Sequence, residues 1–66
     1  MIVRNDERVS WDVYDVLDLC PYDGESVEEM LIREAKGMAY APKTACAEVA
    51  FNGRDCTVSL SWLTKE

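Results

Sequence analysis

The sequence predicts an α+β fold in which two short helices pack on the apolar face of a C-terminal β-hairpin, with an added N-terminal edge strand. Three observations lead to this β-α-α-β-β order: an Asn-Gly turn between alternating segments, a helix-capping motif ahead of an apolar stripe, and an apolar content of 48%. The 66 residues suffice for one domain, which we place over residues 1–66. Such a domain buries only about 60% of the surface of its unfolded chain, which favours a homodimer or folding against a partner.

The first two predicted elements are the edge strand over residues 1–4 and a helix over residues 10–20. In the second segment, apolar side chains cover one arc at 100° per residue, and Ser10 and Pro21 stand where a helix would start and stop. Val9 and Tyr14 hold the positions of a hydrophobic staple around that cap. The opposite arc carries three aspartates: Asp12, Asp15 and Asp18. A strand is the alternative for this segment, because it is rich in β-branched and aromatic residues.

The second helix is predicted over residues 27–39. Ser26 can cap it, and Glu29 completes a capping box three residues later. Glu29 also precedes Arg33 by one turn, in the order that favours an ion pair. The apolar stripe consists of Val27, Leu31, Ala35 and Met38.

The C-terminal hairpin is predicted from Asn52-Gly53, a preferred two-residue turn because both residues tolerate a positive φ. The expected pairs are Phe51 with Arg54, Val49 with Cys56, Ala47 with Val58 and Ala45 with Leu60. The face that they form is apolar except at the tip and continues to Trp62, whereas the other face is mostly polar. Because two strands cannot stand alone in water, the helices must cover the apolar face.

The formal charge of −6 is concentrated in one part of the chain. No basic residue lies between Arg8 and Arg33, and that stretch has a charge of −7, against +1 for the remainder. A segment of one sign builds a directional field. Its carboxylates, with Trp11 among them, are the candidate partner-binding residues: Asp12, Asp15, Asp18, Trp11, Asp23, Glu25, Glu28 and Glu29.

The aspartates of the first helix would rise about 4.5 Å from one to the next, which loosely matches the spacing of phosphates along a nucleic-acid strand. The sequence thus suggests a nucleic-acid mimic that docks on a basic protein surface, while the absence of a basic patch argues against direct DNA or RNA binding. Two simpler readings stand beside this one. The acidic residues can serve solubility and helix dipoles alone, and Trp11 can close the core.

Catalysis is not indicated by any residue pattern. There is no histidine to act as a general base, and the three glycines form no phosphate-binding loop. The three cysteines lack metal-ligand spacing, so we expect buried thiols in a reducing cytosol and neither a cofactor nor a metal. A redox role for Cys46 is a weaker alternative. The polar start and the lack of a long apolar stretch predict a cytoplasmic protein without a membrane partner.

These observations give two functional hypotheses. The first is a non-enzymatic acidic inhibitor or decoy that occupies the nucleic-acid-binding site of a host or defence enzyme. In size and charge pattern the chain resembles, in general character only, the counter-defence and host-takeover proteins of bacteriophages. The alternative is a small homo-oligomeric structural or regulatory adaptor that binds through apolar surface.

Overall fold

A computed structural model describes residues 1–65 and contains the five elements in the predicted order. They are β1 (Ile2–Asp12), α1 (Val13–Leu17), α2 (Val27–Met38), β2 (Cys46–Asn52) and β3 (Asp55–Lys65). The strands form one antiparallel sheet in the order β1-β3-β2, and both helices pack on the same face of it. The α+β class and the C-terminal hairpin are therefore confirmed.

The core lies between α2 and the central strand β3. Along β3 buried and half-buried residues alternate, so that Cys56, Val58 and Leu60 face the helix while Thr57 and Ser59 face the open side of the sheet. From α2, the buried side chains of Leu31, Met30 and Ala35 complete this layer. Burial of one such Leu or Val side chain contributes about 1.5–3 kcal/mol, so truncating any one of them should lower the stability of this small domain markedly.

The hairpin register differs from the expected one by two residues. Asn52 pairs with Asp55, so Gly53 and Arg54 form the two-residue loop, and Val49 lies opposite Val58 rather than Cys56. Gly53 has a φ of 62°, whereas Arg54 does not share a positive φ, which is the pattern of a type II′ turn. A shift by two keeps every side chain on its face. The predicted faces are thus correct although the predicted pairs are wrong.

The segment over residues 10–20 is divided between a strand and a short helix. β1 continues to Asp12 because it pairs with β3 along its whole length, and this long-range ladder overrides the local helical periodicity. The helix therefore begins two residues later than an N-cap at Ser10 would have placed it, and Asp12 is its N-cap, with the Tyr14 amide donating to the Asp12 carboxylate at 2.9 Å. The expected staple around Ser10 does not form, since Ser10 lies within β1.

Helix α2 has the predicted start and an unusual end. The Glu29 amide donates to Ser26 Oγ at 3.1 Å and the Ser26 amide to Glu29 Oε1 at 3.3 Å, which is the expected capping box. At the other end the Ala41 amide donates to the Lys36 carbonyl at 2.9 Å, as in a Schellman motif. The position that glycine usually takes in this motif is held by Tyr40, at a φ of 55°.

Candidate protein-interaction surface

The structure gathers four aspartates at one end of the sheet, and we call Asp12, Asp15, Asp18 and Asp55 the acidic end. Asp12 caps the start of α1, Asp15 lies in its first turn, and Asp18 is its C-cap. Asp55 joins them because β1 pairs with β3 in a register that sets Asp12 directly opposite Asp55. Like charges in directly opposed positions repel each other, so the pairing of Asp12 with Asp55 is electrostatically unfavourable.

The acidic end is shorter than the expected ladder of carboxylates. α1 has only five residues, which is about one and a half turns, and both outer aspartates are caps rather than helical residues. The match to a run of phosphates therefore extends over little more than one turn. Sequence reasoning missed Asp55, because only the pairing of residues distant in the chain reveals its position.

Exposed apolar side chains accompany these carboxylates. Tyr14 is 65% exposed and Leu17 is 75% exposed, and both lie on α1 among the aspartates. Val13 and Phe51, also exposed, line one small cleft between α1 and the hairpin. We call Val13, Tyr14, Leu17 and Phe51 the apolar patch. An apolar centre beside charged groups is the usual anatomy of a protein interface.

Trp11 does not belong to this surface. It lies on the core side of β1, opposite Cys56, and its half-buried side chain packs against the core cluster. The structure thus places Trp11 where the simpler reading put it, closing the core, and its position in a strand rather than a helix removes it from the acidic arc.

The other acidic candidates surround the start of α2, and two of them have structural roles. Glu25 accepts two hydrogen bonds from Arg33, at 3.0 and 3.1 Å, and its side chain is only 14% exposed. These bonds, followed by one from the Tyr22 amide, lower the pKa of the Glu25 carboxyl, and the pairing with Glu25 raises the pKa of Arg33. Glu29 is used by the capping box.

Arg33 is held in place by three neighbours. Besides Glu25 it contacts Glu34 at 2.9 Å, and its guanidinium lies 3.8 Å from the centroid of the Tyr22 ring. The expected ion pair with Glu29 does not form, because Glu25 reaches Arg33 from ahead of the helix. Asp23 and Glu28 remain exposed and, within residues 1–65, have no cation within 4.0 Å.

The expectation of buried thiols is wrong for two of the three cysteines and correct for the third. Cys20 and Cys46 are exposed, whereas Cys56 is 2% exposed in the core, where burial raises the pKa of its thiol. In the part of the chain that the structure describes, no group of three metal-ligating residues occurs and no helix is long and apolar enough to cross a membrane. No protein-family model, curated protein or solved structure matches the chain.

Proposed function

We propose that this is a non-enzymatic binding protein whose acidic end docks on a basic, nucleic-acid-binding site of a partner protein and blocks it. One observation carries the proposal. Asp15 and Asp18 are exposed and, among residues 1–65, have no cation within 4.0 Å, while Tyr14 and Leu17 stand exposed beside them. An ordinary solvated surface mixes both signs of charge and exposes few large apolar groups.

The chemistry of this surface fits a site that holds phosphates. Arginine and lysine side chains of such a site would donate charge-assisted hydrogen bonds to the aspartates. Complementary charge speeds the encounter and selects the partner, whereas the buried apolar contacts of Tyr14 and Leu17 would supply much of the affinity. We propose that the biological role is that of a bacteriophage counter-defence protein.

The test is affinity capture from the native host, followed by competition with a labelled oligonucleotide for the captured protein. We expect the protein to displace the oligonucleotide, and we expect the double variant D15K/D18K to lose this ability. Asp12 is left unchanged, because replacing an N-cap residue costs about 1 kcal/mol and would confuse binding with folding.

The matched control is E7K/E48K, which changes the net charge by the same amount at two exposed carboxylates outside the acidic end. If the control displaced the oligonucleotide as poorly as D15K/D18K, the effect would come from net charge alone. Full displacement by D15K/D18K would show that the acidic end is not the docking surface.

A further inference from the structure

A groove of about 500 Å³ opens beside the C-terminal half of α2. One face of the helix and the loop that follows it line the groove, and we call it the cationic groove. Its lining residues are Ile32, Arg33, Lys36, Gly37, Ala41 and Lys43. Its volume is within the range of pockets that accept several side chains or a small ligand. None of these residues belongs to the acidic end or to the apolar patch.

The floor of the cationic groove is apolar and its rim is positive. Lys36 donates from Nζ to the Lys43 carbonyl at 2.7 Å, which ties the loop to the helix. Arg33 is already neutralised by Glu25, but neither lysine has a carboxylate within 4.0 Å in the described residues 1–65. On a protein with a net charge of −6, two ammonium groups without a carboxylate partner beside an apolar floor form a local positive site.

Because Gly37 has no side chain, it leaves the floor of the groove open. The packing of the helix does not require a glycine at this position. Apart from the adjoining residues and the backbone of its own helix, a Cβ at Gly37 would meet no atom within 4 Å, so the fold has room for a larger side chain there. Glycine within a helix costs up to about 1 kcal/mol relative to alanine. No close packing offsets this cost, and its visible effect is the open floor of the groove.

We propose that the cationic groove binds the acidic end and apolar patch of a second copy of this chain. Leu17 and Tyr14 of one copy match the apolar floor of the other, and Asp15 and Asp18 match the rim lysines in charge. Because the two contact surfaces differ, the association is head-to-tail, and each bound copy leaves one surface free for a further copy.

This self-association goes beyond the proposed function and does not rest on it. It uses the same acidic end, however, so a copy whose acidic end lies in a groove is unavailable to a basic partner. The protein concentration would then determine what fraction of the acidic ends is free to bind a basic partner.

The test uses three variants, each of which removes one side of the contact. G37L fills the groove, and it should fold because the Cβ position is open and leucine is the better helix former. D15K/D18K reverses the charge of the acidic end and leaves the groove intact. K43E is a second groove variant, with R8E as its matched control because Arg8 is an exposed cation outside the groove.

The measurement is sedimentation velocity over a wide range of protein concentrations. We expect the mean mass of the wild type and of R8E to rise with concentration, and G37L, K43E and D15K/D18K each to remain monomeric. An equal mixture of G37L and D15K/D18K should form a 1:1 heterodimer and stop there, since only one intact contact is left.

The proposal is overturned if the wild type stays monomeric at the highest concentration, or if the mixture does. It is also overturned if G37L or D15K/D18K associates as strongly as the wild type, which would place the contact elsewhere. Self-association without displacement of any oligonucleotide would reject the proposed function and leave this inference standing.

Discussion

Replacing Tyr40 with glycine should raise the free energy of unfolding of this protein. Tyr40 holds a φ of 55° directly after the C-cap of α2, where the Schellman motif requires a left-handed residue. Its side chain is 93% exposed, so removing the ring forfeits almost no packing. The substitution therefore changes mainly the backbone energy at one position.

The expected size of the effect follows from two opposing contributions. A left-handed conformation costs a residue with a Cβ about 1–2 kcal/mol, and glycine escapes that cost. Glycine also gives the unfolded chain more freedom, which lowers stability by roughly 0.5–1 kcal/mol. The net gain is about 0.5–1 kcal/mol, which for a domain of this size raises Tm by roughly 2–8 °C.

The assay is thermal and urea unfolding of wild type, Y40G and Y40A. Y40A removes the ring but keeps the Cβ, so it should show no comparable gain. G53A measures the same backbone cost in reverse, because Gly53 has a φ of 62° and alanine there should lower stability by about 1 kcal/mol. Equal stabilisation by Y40G and Y40A would refute the argument from backbone strain, as would destabilisation by Y40G.

Two further predictions concern titratable groups. In the native protein a thiol reagent should modify Cys20 and Cys46 but should not modify Cys56 until the chain unfolds. The reason is that Cys56 is buried and the pKa of its thiol is raised. Mass spectrometry of the adducts gives the number of modified cysteines. The contact with Arg33 lowers the pKa of Glu25, so its contribution to stability is complete above the unfolded pKa of about 4.3 and disappears as the pH falls through the lower folded value. The difference in unfolding free energy between wild type and E25Q should therefore shrink in acid, and a constant difference down to about pH 2 would contradict this assignment.

Sequence patterns predicted those features of the fold that depend on neighbours in the chain. The capping box of Ser26 and Glu29 needs only a three-residue spacing, and the alternation along β3 needs only a period of two. The hairpin faces were predicted correctly because a register shift by two residues leaves them unchanged. The predicted register of the two strands is wrong, since Gly53 can serve as either central residue of a two-residue turn.

The features that sequence reasoning missed depend on contacts between distant residues. Periodicity extended the first helix back to Ser10, whereas pairing with β3 holds Trp11 and Asp12 in the strand. The sequence places Glu25 among the surface charges. In the structure it precedes α2 and accepts a hydrogen bond from Arg33, eight residues further along the chain. The sequence therefore predicts the acidic end in part: it predicts the exposed Asp12, Asp15 and Asp18 but not Asp55.

The central position of β3 has a consequence for the time at which the sheet can form. The pairs that join β1 to β3 lie between 43 residues apart, at Asp12 and Asp55, and 63 residues apart, at Ile2 and Lys65. At a synthesis rate of 5–20 residues per second, the ribosome needs roughly 2–9 s to add the shortest of these separations. During that interval the β1 segment has been made but its ladder partner has not, and its apolar residues stay open to chaperones and to other nascent chains. The rate at which β3 is synthesised thus sets how long β1 remains unpaired.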